Sequence, residues 1–276
     1  MLLAAGPARA IGAASQSRLR FGEGPKDDNA WRGRRLLWLD ERPAFDLSFW
    51  CGTCGFLFER LEGANSTCSL EDVDRRLVDG LDGIDEQVID RFASLLPRGQ
   101  YLPLLLRVQP SLVRPAGDGD YFASEQVATW GLSGFWGLPE YPRTPYYRTY
   151  ETLVGADEHL YEFVVPMVPP SWNDQEQVAR YVTELARSTK LTAVAVATLD
   201  VCVPAMEMAQ STDYYRHWGL THFLLDGHHK MQAAATSERP LQLLSLLSID
   251  ASLCSPDETS RVPMLRQQAR ISRLPR

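Results

Sequence analysis

The sequence predicts an α+β protein, and three observations carry the prediction. The last third alternates short apolar runs with helical periodicity in the order strand, helix, strand, strand, helix, strand, which implies a mixed sheet with helices. The stretch before it combines strand-like runs with amphipathic helices, an N-terminal α+β region of its own. No internal repeat or heptad pattern competes with this reading. With 276 residues, 45% of them hydrophobic and 23% charged, the chain can bury one large core or two small ones.

From the N-terminus, Met1 to Gly24 carries Arg9, Arg18 and Arg20 among Ala, Gly and Ser with no acid before Glu23. Transit peptides share this composition with disordered tails, and we read residues 1–34 as a tail. Leu2 to Ala5 is too short for the apolar part of a secretory signal. Arg35 to Leu39 and Ala44 to Trp50 read as strands, and Phe56 to Leu61 as a helix. Ser69 and Asp72 form a capping-box pattern ahead of Val73, Leu77 and Leu81. Asp85 caps a second helix through Val88, Phe92 and Leu95, closed by Pro97 and Gly99, with a strand from Tyr101 to Val108.

Residues 111–150 are too rich in Gly, Pro and aromatics for regular elements to be placed, and their aromatics are expected to pack on the core. Beyond a boundary near Thr152 to Glu158, Tyr161 to Met167 is a strand. Asn173, with Glu176, caps a helix bearing Val178, Val182 and Leu185. Thr192 to Leu199 has the small and branched residues of a strand covered on both faces. A linker from Asp200 to Trp218 leads to a short strand His222 to Leu225, a helix from His228 to Thr236 and a strand from Leu241 to Ile249. The resulting division is a tail at 1–34, the α+β region at 35–157, the mixed sheet at 158–250 and an extension at 251–276.

The net charge of -7 has no basic block, which argues against nucleic acid as a partner. No apolar run nears the roughly 20 residues that cross a bilayer, so no membrane partner is expected. Five cysteines in a chain this long do not make a secreted disulfide scaffold, and the expected location is cytoplasmic.

Chemistry concentrates at Asp226-Gly227-His228-His229-Lys230, directly after a strand and at the start of a helix. Gly227 permits the sharp turn, and the free N–H groups of the helix start favour an anion such as a nucleotide phosphate. Lys230 adds a positive charge, and His228 and His229 are expected to act as donors that strengthen on protonation. Asp226 is a candidate catalytic base or Mg2+ ligand, with helix capping as the plain alternative.

The run Phe223 to Ala234, between the helix at 173–187 and the strand at 241–249, resembles the ParB/sulfiredoxin superfamily, in which a box at a helix N-terminus cradles nucleotide phosphates. The resemblance covers about residues 158–250. His228 stands where sulfiredoxins carry a catalytic cysteine, and some 26 residues after Ile249 leave no room for the DNA-binding domain of partition proteins. The lettering is closest to the Asp-Gly-His-x-Arg form of free-serine kinases, with Lys230 in place of Arg. The resemblance therefore implies a nucleotide-binding phosphotransferase or nucleotide hydrolase acting on a small molecule. It implies ATP or ADP with Mg2+, catalytic Asp226 and His228, and phosphate held by Gly227, His228, His229 and Lys230. A separate acidic base is not identified: Glu162, Asp174, Glu176 and Asp200 all fall within the resembling region, and spacing does not choose among them.

Cys51-Gly-Thr-Cys54-Gly is a second candidate centre. It reads as a thiol redox pair or as half of a structural Zn2+ site, with Cys68 as a third ligand. A non-catalytic ligand-binding module is the remaining alternative.

Overall fold

The computed structural model describes residues 1–13, 17–24, 34–49, 58–130, 142–188, 190–204 and 216–268. The fold is α+β. Its strands are β1 (Leu2–Ala5), β2 (Arg9–Ile11), β3 (Leu19–Glu23), β4 (Arg34–Leu39), β5 (Arg42–Phe49), β6 (Phe58–Arg60), β7 (Gly99–Val108), β8 (Ser111–Val113), β9 (Tyr146–Gly155), β10 (Glu158–Pro166), β11 (Thr192–Cys202), β12 (Arg216–Asp226) and β13 (Leu241–Ser248). The helices are α1 (Glu71–Asp79), α2 (Glu86–Ala93), α3 (Glu125–Trp130), α4 (Gln175–Arg187), α5 (His228–Thr236) and α6 (Pro256–Leu265).

A mixed nine-stranded sheet runs in the order β1, β7, β13, β11, β12, β10, β9, β8, with β2 also pairing β7, and a separate antiparallel sheet runs β3, β4, β5, β6. At its centre two strand–helix–strand units interleave. β10–α4–β11 steps over β12, and β12–α5–β13 steps back over β11, so that β10 is parallel to β12 and β11 parallel to β13.

Side-chain alternation sorts the two faces of the large sheet. On one, Phe163, Val165, Val194, Val196, Phe223 and Leu244 pack with Leu37, Phe45 and Phe58 of the small sheet and with Val73, Leu77, Val88 and Phe92 of α1 and α2. On the other, Ala193, Ala195 and Ala197 alternate with those valines and let α4, α5 and α6 lie close, through Val178, Leu185, Met231, Ala233, Val262 and Leu265. Arg35 of β4 joins the sheets: its guanidinium, 1% exposed, donates to both oxygens of Asp200 at 2.8 and 3.0 Å and to the Ala251 carbonyl at 2.8 Å. The aromatics of the unreadable stretch do enter the core, Tyr146 and Phe122 packing edge-on around Phe58.

Several sequence expectations are corrected. The first residues are not a free tail, since β1 and β2 pair with β7 and β3 pairs with β4. Composition hid this because short edge strands need few β-formers once a neighbour supplies the hydrogen bonds. The boundary near 157 falls in the turn of the β9–β10 hairpin, and β7 from the N-terminal half sits beside β13, so one sheet crosses the expected division. Of the expected helix from Phe56 to Leu61, residues 58–60 are instead the strand β6, paired with β5. The expected linker after Asp200 shrinks because β11 continues to Cys202 and β12 begins at Arg216. Asp85 caps α2 as expected, accepting from the N–H groups of Gln87 and Val88.

Candidate functional site

Gly227 ends β12 and is the N-cap of α5, with φ of 88° and ψ of 27°. An added Cβ would lie 2.7 Å from the Ala193 side chain, so both the left-handed backbone and the contact with β11 demand glycine here. The first intrahelical bond is Met231 N–H to the Gly227 carbonyl at 2.8 Å, and no side chain caps the helix. The N–H groups of His228, His229 and Lys230 precede that bond, as the orphan donors of a helix start do.

A pocket of about 340 Å3 opens in front of this turn. Asp226 to Lys230 form one wall, Gln177 and Tyr181 of α4 a second, and Thr67, Ser69, Leu70, Glu71 and Asp74 a third. The third wall comes from outside the stretch that carries the family resemblance. It is brought there by Cys68, whose N–H donates to the Leu225 carbonyl at 2.8 Å, so the chain ahead of α1 is stitched to the end of β12. Ser69, expected to cap α1, does not do so: α1 has Leu70 at its N-cap with no side-chain bond, and the Ser69 hydroxyl donates to Asp226 Oδ1. The serine is diverted because Asp226 offers a charged acceptor, a stronger partner than a solvated N–H.

The two histidines are not the cationic donors expected. His228, 3% exposed, accepts from the Met167 N–H at its Nε2 over 3.1 Å, which puts the ring proton on Nδ1. Burial first, and then the neighbouring His229, push its pKa down to about 3, so the ring is neutral near pH 7. Its Nδ1 is a buried atom with no hydrogen-bond partner. His229 likewise accepts at Nε2, from the Asp174 N–H at 3.1 Å, and burial lowers its pKa. Both rings latch α5 to the chain entering α4. Asn173, expected to cap α4, joins the same lacing through Gln232 at 2.7 Å and the His228 carbonyl at 3.3 Å, leaving Asp174 as the cap.

Lys230 is 2% exposed. Its Nζ donates to the Thr192 carbonyl at 3.2 Å and lies 3.7 Å from Asp74 and 4.0 Å from Asp226, with the Tyr181 ring 5.8 Å away. Burial lowers its pKa below the usual lysine range, against the opposing pull of Asp226 and Asp74.

None of the four acids considered as an additional base lies in the pocket wall. Glu162 is buried beside Arg266, Asp174 caps α4, Asp200 holds Arg35, and Glu176 lies in the first turn of α4. Asp74 and Glu71 face the pocket instead. No protein-family model matches this chain, and neither a curated protein nor a solved structure matches it significantly. The pocket is thus read from its own chemistry.

Cys51 and Cys54 lie outside the described residues. Cys68 is a buried free thiol whose pKa burial raises to about 11, which disfavours the thiolate a metal ligand needs. Among the described residues no cluster of His, Cys, Asp and Glu is placed to hold a metal ion, and no helix is long and apolar enough to cross a membrane.

Proposed function

We propose that the pocket before Gly227 binds the phosphate of a nucleotide and serves phosphoryl transfer to a small molecule, or nucleotide hydrolysis. The observation that carries this reading is an uncapped helix start at a pocket wall: Gly227 to Lys230 line the cavity, and no side chain caps the first N–H groups of α5. Free N–H groups and the positive end of the helix dipole favour an anionic oxygen there. Asp226, oriented by Ser69, is the base that accepts the proton of the attacking hydroxyl or water. This arrangement suits the phosphate box of the ParB/sulfiredoxin superfamily to which the lettering is similar, with backbone amides in place of charged histidines. Mg2+ enters only as the counter-ion that a nucleotide brings.

Thermal unfolding with ATP, ADP and CTP in the presence of Mg2+ tests the reading. A nucleotide at a hundred times its Kd stabilises by about 2.7 kcal/mol, a rise of several degrees. Asp226→Asn is expected to keep that rise and to lose phosphate release. An unchanged melting temperature with every nucleotide overturns the proposal.

A further inference from the structure

In the pocket wall contributed by the chain ahead of α1, Ser69 is exposed, and its hydroxyl donates to Oδ1 of Asp226, which is buried. The contact is anchored from the backbone: Cys68, 1% exposed, donates its N–H to the Leu225 carbonyl at 2.8 Å, so the residues preceding the serine and the aspartate are joined as well. Turned this way, the hydroxyl leaves α1 without a side-chain cap. The second carboxylate oxygen, Oδ2, lies 4.0 Å from Lys230 Nζ. A hydroxyl on a carboxylate that a third group orients is the arrangement that activates an oxygen nucleophile. Two other hydroxyls donate to carboxylates, and neither lines the pocket: Thr149 and Glu162 are buried, and Ser255 and Glu258 form the capping box of α6. At Ser69 alone of the three does the hydroxyl face a cavity, with the uncapped start of α5 directly following its carboxylate partner.

We propose that Ser69 is itself an acceptor of the phosphoryl group, so that the chain phosphorylates its own pocket wall. The proposal rests on the phosphoryl-transfer reading of the same pocket and assigns the hydroxyl that Asp226 deprotonates. The Ser69 Oγ forms a bond to the γ-phosphorus of a nucleoside triphosphate while its proton passes to the Asp226 carboxylate. The bond from that phosphorus to the bridging oxygen breaks, and its electron pair leaves on the nucleoside diphosphate. Asp226 then releases the proton to solvent. Serine and nucleoside triphosphate become phosphoserine, nucleoside diphosphate and a proton, with no redox change. The phosphoserine adds about -1.5 to -2 charges at pH 7 to walls that already carry Glu71, Asp74 and Asp226. Each chain therefore accepts one phosphoryl group there and binds the next nucleotide more weakly.

The full chain is incubated with Mg2+ and with ATP or CTP radiolabelled on the γ-phosphate, and the labelled peptide is identified by mass spectrometry. Label is expected on Ser69, at no more than one phosphate per chain, and the phosphorylated chain should show a smaller nucleotide-dependent rise in melting temperature. Ser69→Ala is expected to abolish the label while keeping the rise, and Asp226→Asn to slow labelling by roughly a hundredfold or more. A melting rise with no label, or with label on Thr67 of the same wall, overturns Ser69 as acceptor and leaves nucleotide binding standing. Labelling of Ser69 at an unchanged rate in Asp226→Asn overturns it too, since another base or a contaminating kinase is then at work. Neither label nor melting rise with any nucleotide defeats this proposal together with the phosphoryl-transfer reading.

Discussion

Two regions of this molecule bury ionisable side chains on or beside the same sheet, and burial has opposite outcomes in them. Under α6, Glu162 lies 3.0 Å from Arg266 Nε and 3.7 Å from His222, accepts from the Thr149 hydroxyl at 2.6 Å, and is wholly enclosed. Burial alone would raise the Glu162 pKa, but Arg266, with His222 and Thr149, outweighs it and holds the carboxyl at about 2. Before Gly227, burial outweighs its surroundings: it pushes the His228 pKa down to about 3 and lowers that of Lys230 below the usual lysine range against the opposing pull of Asp226 and Asp74. In the first cluster Arg266 faces the carboxylate it stabilises, and Ser245 lies 2.7 Å from His222 Nδ1. In the second, burial leaves His228 neutral at the wall of a pocket.

The contrast breaks most sharply at Arg266. Arg266→Ala leaves Glu162 buried without its main counter-charge and is expected to cost about 3–5 kcal/mol in urea unfolding; a loss below 1 kcal/mol would show that the cluster is solvated rather than closed. Gly227→Ala is expected to cost about 2–3 kcal/mol, from the left-handed backbone and the collision with Ala193. Ala193→Gly in that background should recover part of the loss, and no recovery would remove the contact from the account.

The pH dependence sharpens the pocket side. His228 has a folded pKa of about 3 against an ordinary 6.5, so between these values the unfolded chain binds the extra proton and stability falls as pH falls. A loss of about 2 kcal/mol is expected between pH 6.5 and 5, before Glu162 begins to titrate in the unfolded chain. His228→Asn should flatten that segment, and an unaltered slope would reassign it to other groups. Smallest of all is the effect of Lys230→Met. Removing an amine whose carboxylate partners lie at 3.7 and 4.0 Å, beyond hydrogen-bond distance, should change stability by less than about 1 kcal/mol. A loss of 3 kcal/mol or more would make Lys230 a structural cation like Arg266.

The order of elements from β10 to β13 was legible because hydrophobic periodicity and Gly, Pro and Asp punctuation agree there. The turn at Gly227 was legible because only a few residue types tolerate its backbone. What could not be read was non-local. Nothing in the lettering around Ser69 says that its hydroxyl meets Asp226, 157 residues away, instead of its own helix. His228 and His229 carry the same letters whether their nitrogens face solvent or accept from Met167 and Asp174, and that difference sets their charge. β1 to β3 were hidden because edge pairing depends on β7 and β4, which lie elsewhere in the sequence.

The interleaving of β10–α4–β11 with β12–α5–β13 bears on how the chain reaches this state. Neither unit contains two strands that are neighbours in the sheet, so neither can close a hydrogen-bonded ladder by itself. The nucleus must await β12, and the loop-closure entropy of joining β10 to it is incurred before the crossover of α4 is rewarded. A ribosome that has released residues up to α4 therefore holds a β9–β10 hairpin and a helix with no central strands to cover, and slow, late-committing folding follows.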